Sequence, residues 1–167
     1  MKQLDHYISK FVKKEFPIIL VCDNISNAPN IGSLFRTADA FGIEKLILCG
    51  QNISLGRRLT KTSRATEKIV KFEIHHNSLE VIKNLKTEKF EIISLEITDS
   101  SKAIDCFQFP KSNPIALVIG NENLGISKEL LELSDAIVHI EMYGHNSSMN
   151  VVQAANIALY EITKQLN

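Results

Sequence analysis

The chain lacks a net charge, its 19 Lys and Arg being balanced by 19 Asp and Glu. No global field draws an acidic partner, so any affinity for nucleic acid has to come from a local basic patch. It also lacks an apolar stretch approaching the ~20 residues that span a bilayer, and its polar, amphipathic N-terminus shows no secretory leader. These absences predict a soluble, intracellular protein, cytoplasmic in location. Cysteine is scarce: Cys22, Cys49 and Cys106 lie in or beside apolar runs, without CxxC spacing. An odd number so placed argues for reduced, buried thiols rather than a disulfide framework. No set of His, Cys and carboxylates has metal-ligand spacing, so no metal is expected. His75 and His76 read as a strand end, and His145 as a loop residue. A G-x-S-x-G elbow is also missing, which removes one class of hydrolase. Internal repeats and low-complexity tracts are absent too, and 167 residues suffice for one domain with a single core.

What is present alternates between strand-like and helix-like segments. Residues 2–14 space Leu4, Tyr7, Ile8, Phe11 and Val12 helically among lysines, predicting a short N-terminal helix closed before Pro17. The run Ile18-Ile19-Leu20-Val21-Cys22 has the continuous apolar character of a strand buried on both faces of a parallel sheet. A polar turn over 23–30 precedes a helix over 31–41 that Gly42 ends, and a strand over 45–49 follows. Further strands are predicted at 69–74, 91–95, 115–119 and 135–140, and helices at 78–85, 127–133 and 150–166. Ser127 is the expected N-cap of its helix, and Asp135 reads as a solvated residue. The segment 50–66 has no periodicity and reads as a loop, but it carries Arg57, Arg58, Lys61 and Arg64 with no acidic residue until Glu67. The alternation predicts an α/β fold with a mainly parallel sheet flanked by helices.

Three short stretches near these apolar strands hold side chains that a core does not need. In the first, Asn30 to Thr37, Gly32 permits close approach of backbone to a ligand at a helix start whose free amides attract an anion. Arg36 lies one turn on and offers a planar fork suited to phosphate. A solvated Arg36 paired with Asp39 explains that segment equally well. In the second stretch, Gly120-Asn121-Glu122-Asn123-Leu124-Gly125, two glycines bracket a tight turn whose amides point into the crevice beyond the strand. It lacks both the dinucleotide fingerprint and the Lys-Ser/Thr pair of a P-loop. The third stretch, 144–150, concentrates hydrogen-bonding groups before a helix, and capping accounts for only one of them.

In this order, the three stretches resemble the motifs of the SpoU (TrmH-like) family of RNA ribose 2′-O-methyltransferases, within the SPOUT superfamily. The resemblance runs from Phe16 to the final helix and departs from the family pattern at Glu141, usually proline, and Met149, usually leucine. It implies a single methyltransferase domain over 1–167 with a C-terminal deep trefoil knot, a homodimer, and S-adenosylmethionine as cofactor. By matched position Leu95, Gly120, Ile140 and Met149 hold the cofactor, and Arg36, Asn30, Glu122, Ser148 and Asn150 form the catalytic set. Arg36 is expected to bind a phosphate and stabilise the alkoxide, since a guanidinium does not give up its proton. The implied substrate is RNA, with tRNA ahead of ribosomal RNA, held through phosphate contacts of Arg57, Arg58, Lys61 and Arg64. Two other classes stay open at this point. One is a non-catalytic RNA-binding or assembly factor on the same fold, and the other is a different α/β nucleotide-binding enzyme.

Overall fold

The computed structural model describes residues 11–51, 53 and 55–167. Among the described residues seven strands form one sheet: β1 (Phe16–Asp23), β2 (Ile43–Cys49), β3 (Phe72–His75), β4 (Glu91–Leu95), β5 (Lys102–Ala103), β6 (Ile115–Ile119) and β7 (Ala136–His139). Their order is β3-β2-β1-β6-β4-β7-β5, and every pairing between them is parallel. All strands therefore point their carboxyl ends to the same edge of the sheet. The helices are α1 (Ala28–Phe41), α2 (Arg57–Ser63), α3 (Ser78–Thr87), α4 (Lys128–Leu133) and α5 (Val151–Leu166).

Side chains alternate across the central strands, as a two-sided parallel sheet requires. Ile18, Leu20, Cys22, Ile115 and Leu117 join the core under α1 and α5, where Leu34, Phe35, Ala155, Ala158 and Leu159 meet them. Ile19, Val21, Ala116 and Val118 enter the opposite layer, closed by Val81, Ile82 and Leu85 of α3 and Leu130 of α4. Thr37 on α1 donates to Asn156 on α5 at 3.3 Å, a polar tie between helices otherwise joined by apolar packing.

Several elements differ from expectation for identifiable reasons. Helix α1 starts at Ala28, within the expected turn, because Asn27 accepts the Asn30 N–H at 3.1 Å and Pro29 fits the first turn, where its missing donor costs nothing. Its far end is as expected, with Gly42 left-handed at φ 58°. Pro17 lies inside β1, at a register irregularity between Phe16 and Ile19. The expected loop at 50–66 contains α2, and β3 is shorter than expected because Thr66–Lys68 forms a 3-10 turn. Of the expected N-terminal helix, residues 2–10 lie outside the described residues, while 11–14 are irregular with Phe11 and Val12 exposed. Asp135 is exposed but anchored, accepting from Lys86 at 2.6 Å and from the Ile92 N–H at 2.9 Å.

Cys22 and Cys49 are buried as expected, and Cys106 is exposed. Burial pushes the Cys22 thiol well up and the Cys49 thiol up to about 12, with the neighbouring Asp23 charge adding to both. No helix among the described residues is long and apolar enough to cross a membrane.

Candidate active site

A cavity of about 420 Å³ opens at the carboxyl edge of the sheet, beyond β4, β6 and β7. Its walls are the ends of those strands, the loop from Gly120 to Ile126, and the segment that returns from β7 to α5. This is the crevice in which open parallel sheets hold ligands, and its size suits a small organic molecule. Leu95 at the end of β4, Gly120 after β6, and Ile140 and Met149 on the segment between β7 and α5 all line it.

The Gly120 loop is shaped by backbone contact. A Cβ on Gly120 would lie 2.5 Å from the Ile126 nitrogen, so any side chain there would push the loop off the strand end. Asn121 organises the turn: its Oδ1 accepts the N–H groups of Asn123 and Leu124 at 2.9 and 3.2 Å, and its Nδ2 donates to the Asn24 carbonyl at 2.9 Å. The Gly125 N–H goes to the Asn121 carbonyl at 2.8 Å, and that of Ile126 to Glu96 at 3.1 Å. The amides of Asn123, Leu124, Gly125 and Ile126 are therefore committed within the protein rather than offered to the crevice as expected.

Among the described residues, the charged side chains of the lining are the carboxylates Glu96 and Glu122, with no Lys or Arg. Apolar walls with acidic groups suit a ligand with a flat apolar part and positive charge, and disfavour a polyphosphate. An adenosyl sulfonium has those two properties, so the residues present fit S-adenosylmethionine. Among the described residues no group of three or more His, Cys, Asp or Glu could hold a metal ion.

One hydrogen-bonded chain joins the three sequence motifs. The Asn30 Nδ2 donates to Glu122, and the Asn150 Nδ2 donates to the Asn30 Oδ1 at 3.3 Å. Asn150 also caps α5, its Oδ1 accepting the Val152 N–H at 2.9 Å. Glu122 and Ser148 line the cavity, while Asn30 and Asn150 adjoin it through this chain. Ser148 is held by Asn146, whose Oδ1 receives its N–H at 3.3 Å.

Arg36 is exposed on α1, lies outside the lining and forms no ion pair among the described residues, including with Asp39. Gly32 is also not where expected. It is buried in the helix, and a Cβ there would lie 2.6 Å from the Leu59 carbonyl oxygen and 2.9 Å from the Thr62 Cβ. The close approach it permits is that of α2, not of a ligand. On α2, Leu59 and Ser63 face inward while Arg57, Arg58 and Lys61 are exposed, followed by exposed Arg64. The four cations thus project from a short packed helix and its left-handed end, where Arg64 has φ 51°.

Residues that the sequence did not mark complete the walls. Glu96 and His139 line the cavity, and Ser101 bonds the His139 Nδ1 at 2.9 Å. A charged residue directly beyond a buried strand was the available signal for Glu96. Glu141, the departure from proline, is exposed and accepts from the Tyr143 hydroxyl at 2.9 Å, and this bond and charge raise the Tyr143 pKa.

Comparison with known proteins gives a consistent picture. The model of the SpoU rRNA Methylase family matches residues 17–160. A tRNA (guanosine(18)-2′-O)-methyltransferase of Aquifex aeolicus is 29% identical over 167 residues, covering 98% of this chain and 77% of its own. The crystal structure of the A. aeolicus TrmH/SpoU tRNA modifying enzyme superposes with a TM-score of 0.81 at 29% identity, over 92% of this chain and 77% of that one. The SpoU methyltransferase AviRb of Streptomyces viridochromogenes, solved in complex with the cofactor AdoMet, superposes with a TM-score of 0.79 at 26% identity, over 92% of this chain and 62% of that one.

Proposed function

The chain belongs to the SpoU rRNA methylase family, and from that premise we propose that it transfers the methyl group of S-adenosylmethionine to a ribose 2′-hydroxyl in RNA, with tRNA as substrate. The observation that carries this reading is the meeting of Leu95, Gly120, Ile140 and Met149 in one cavity, beside the Glu122–Asn30–Asn150 chain. A binding scaffold has no physical need for that combination. A cytoplasmic location and one catalytic domain spanning the chain belong to the same reading, as does trefoil threading of its C-terminal part.

The cofactor, when bound, supplies an electrophilic methyl group on a good leaving group. Transfer of that methyl group to a ribose oxygen would require the hydroxyl to lose its proton. A hydroxyl is a poor nucleophile at neutral pH, so the residues act on alignment and charge. Leu95, Gly120, Ile140 and Met149 would hold the adenosyl part of the cofactor. Asn30 fixes Glu122 and Asn150, and with Ser148 they order the ribose. The Arg36 guanidinium stays protonated; it binds the adjacent phosphate and stabilises the developing alkoxide, while a phosphate oxygen or a polar loop group accepts the proton. Because Arg36 lies outside the lining of its own chain's cavity, we assign it to the cavity of a second copy, each site of a homodimer being completed by the partner. Arg57, Arg58, Lys61 and Arg64 hold the RNA backbone.

The experiment is Arg36→Ala, assayed for both turnover and cofactor affinity. Turnover is expected to fall about 10²–10³-fold with S-adenosylmethionine affinity unchanged. Retained turnover removes Arg36 from the mechanism. Failure of the unaltered protein to bind S-adenosylmethionine favours a non-catalytic RNA-binding role.

A further inference from the structure

One charged side chain outside the assigned set is built into the cavity wall. Glu96 directly follows β4, is half-buried and lines the cavity. Each of its oxygens takes one backbone donor: the Ile97 N–H reaches Oε1 at 2.9 Å and the Ile126 N–H reaches Oε2 at 3.1 Å. Gly125 closes over it, since a Cβ there would stand 2.5 Å from Oε2. The carboxylate is therefore fixed by its own strand end and by the loop that follows β6.

An ionised carboxylate offers about four acceptor sites. With one engaged on each oxygen, each of the two neighbouring oxygens keeps an acceptor site. The complement of that arrangement is a ligand with two adjacent donors. We propose that Glu96 accepts the vicinal ribose hydroxyls of the adenosyl cofactor, one on each oxygen, a role that rests on the cofactor reading of this cavity.

The layout of the cavity selects the ribose over the other donor-bearing part of the cofactor. The apolar wall formed by Leu95, Ile119, Ile140 and Met149 suits the flat adenine, and the ribose is bonded directly to that ring. The ammonium group lies at the far end of a flexible chain and is strongly hydrated. Glu122, by contrast, is exposed and already bonded to Asn30, which turns it to the substrate side. An acidic side chain at a strand end that receives ribose hydroxyls is a solution other α/β nucleotide sites use.

The test is calorimetric binding of S-adenosylhomocysteine and of its 2′-deoxyribosyl analogue to the full chain and to the Glu96→Gln and Glu96→Ala variants. The unaltered protein is expected to bind the deoxy analogue about tenfold or more weakly, as for a lost hydrogen bond to a charged group. In Glu96→Ala the two ligands are expected to bind within about twofold of each other, with Glu96→Gln between. Because Glu96 also holds the loop, its removal weakens all binding; only the ratio of the two ligands isolates the ribose contact. A ratio unchanged in the variants overturns the proposal and leaves Glu96 a loop anchor, as does an unaltered protein that binds both ligands equally. Should Glu96→Ala fail to fold, the ratio in the unaltered protein and in Glu96→Gln decides. If the unaltered protein binds neither ligand, the cofactor reading itself fails and the proposal falls with it, an outcome distinct from binding without discrimination.

Discussion

At the carboxyl edge of the sheet, the junction of β1 with α1 and that of β6 with α4 look alike in sequence. Each follows a buried apolar strand with an asparagine-bearing segment and a glycine, yet only the second walls the cavity. At Gly32 the missing side chain leaves room for the α2 backbone, with the Leu59 carbonyl oxygen 2.6 Å from where a Cβ would sit. At Gly120 it leaves room for a turn of the loop itself, which shapes the crevice. A glycine signals close approach, and what approaches is decided by the rest of the chain. One junction therefore presents the basic helix and the other presents the cavity wall.

Replacing each glycine separates the two roles. Gly120→Ala is expected to weaken S-adenosylmethionine binding by about a hundredfold, the upper end of an overpacking strain expressed as binding, measured by calorimetry on a protein that still unfolds cooperatively. Gly32→Ala is expected to lower global stability by about 2 kcal/mol in denaturant unfolding, with cofactor affinity held and RNA affinity reduced. Loss of cofactor binding in Gly32→Ala with unchanged stability would restore the ligand reading of the first glycine.

Neutralising Arg57, Arg58, Lys61 and Arg64 together sharpens the same contrast without disturbing packing. RNA affinity at physiological salt is expected to fall about tenfold, with a shallower dependence on salt concentration, and cofactor affinity unchanged. An unaltered salt slope would make these cations a solvated helix face.

Glu73, on the edge strand and away from both junctions, sets the baseline. Its carboxyl pKa is lowered by the Lys45 ammonium at 2.7 Å and by His75 at 2.9 Å. A depressed folded-state pKa adds stability that is present above the ordinary carboxylate range and is lost as pH falls through the depressed value. Both partners of the pair are partly exposed, so Glu73→Gln is expected to cost less than about 1 kcal/mol near neutrality and nothing at strongly acid pH. The check is thermal unfolding of both proteins across that range.

The strands were the most legible elements because burial on both faces leaves an unbroken apolar run, as in β1 and β6. Helix α2 was illegible for the opposite reason. Its seven residues are too few to set a period, and it is held by Leu59 and Ser63 against a glycine in another helix. Pro29 lies inside the expected turn at 23–30 and starts α1 there, so the helix begins earlier than its apolar spacing shows. The four positions proposed to hold the cofactor came from ordered motifs, and they line one cavity. Glu96 was missed because an acidic residue between apolar neighbours looks solvated until the loop that folds over it is seen.

The most direct measurement incubates the purified protein with S-adenosylmethionine labelled in its methyl group and with total cellular RNA from cells lacking the protein, then digests the RNA to nucleosides. Label recovered in a ribose 2′-O-methyl nucleoside from the tRNA fraction is the expected result. Label on a base, or none in RNA despite demonstrated cofactor binding and a range of RNA substrates, would contradict the assignment.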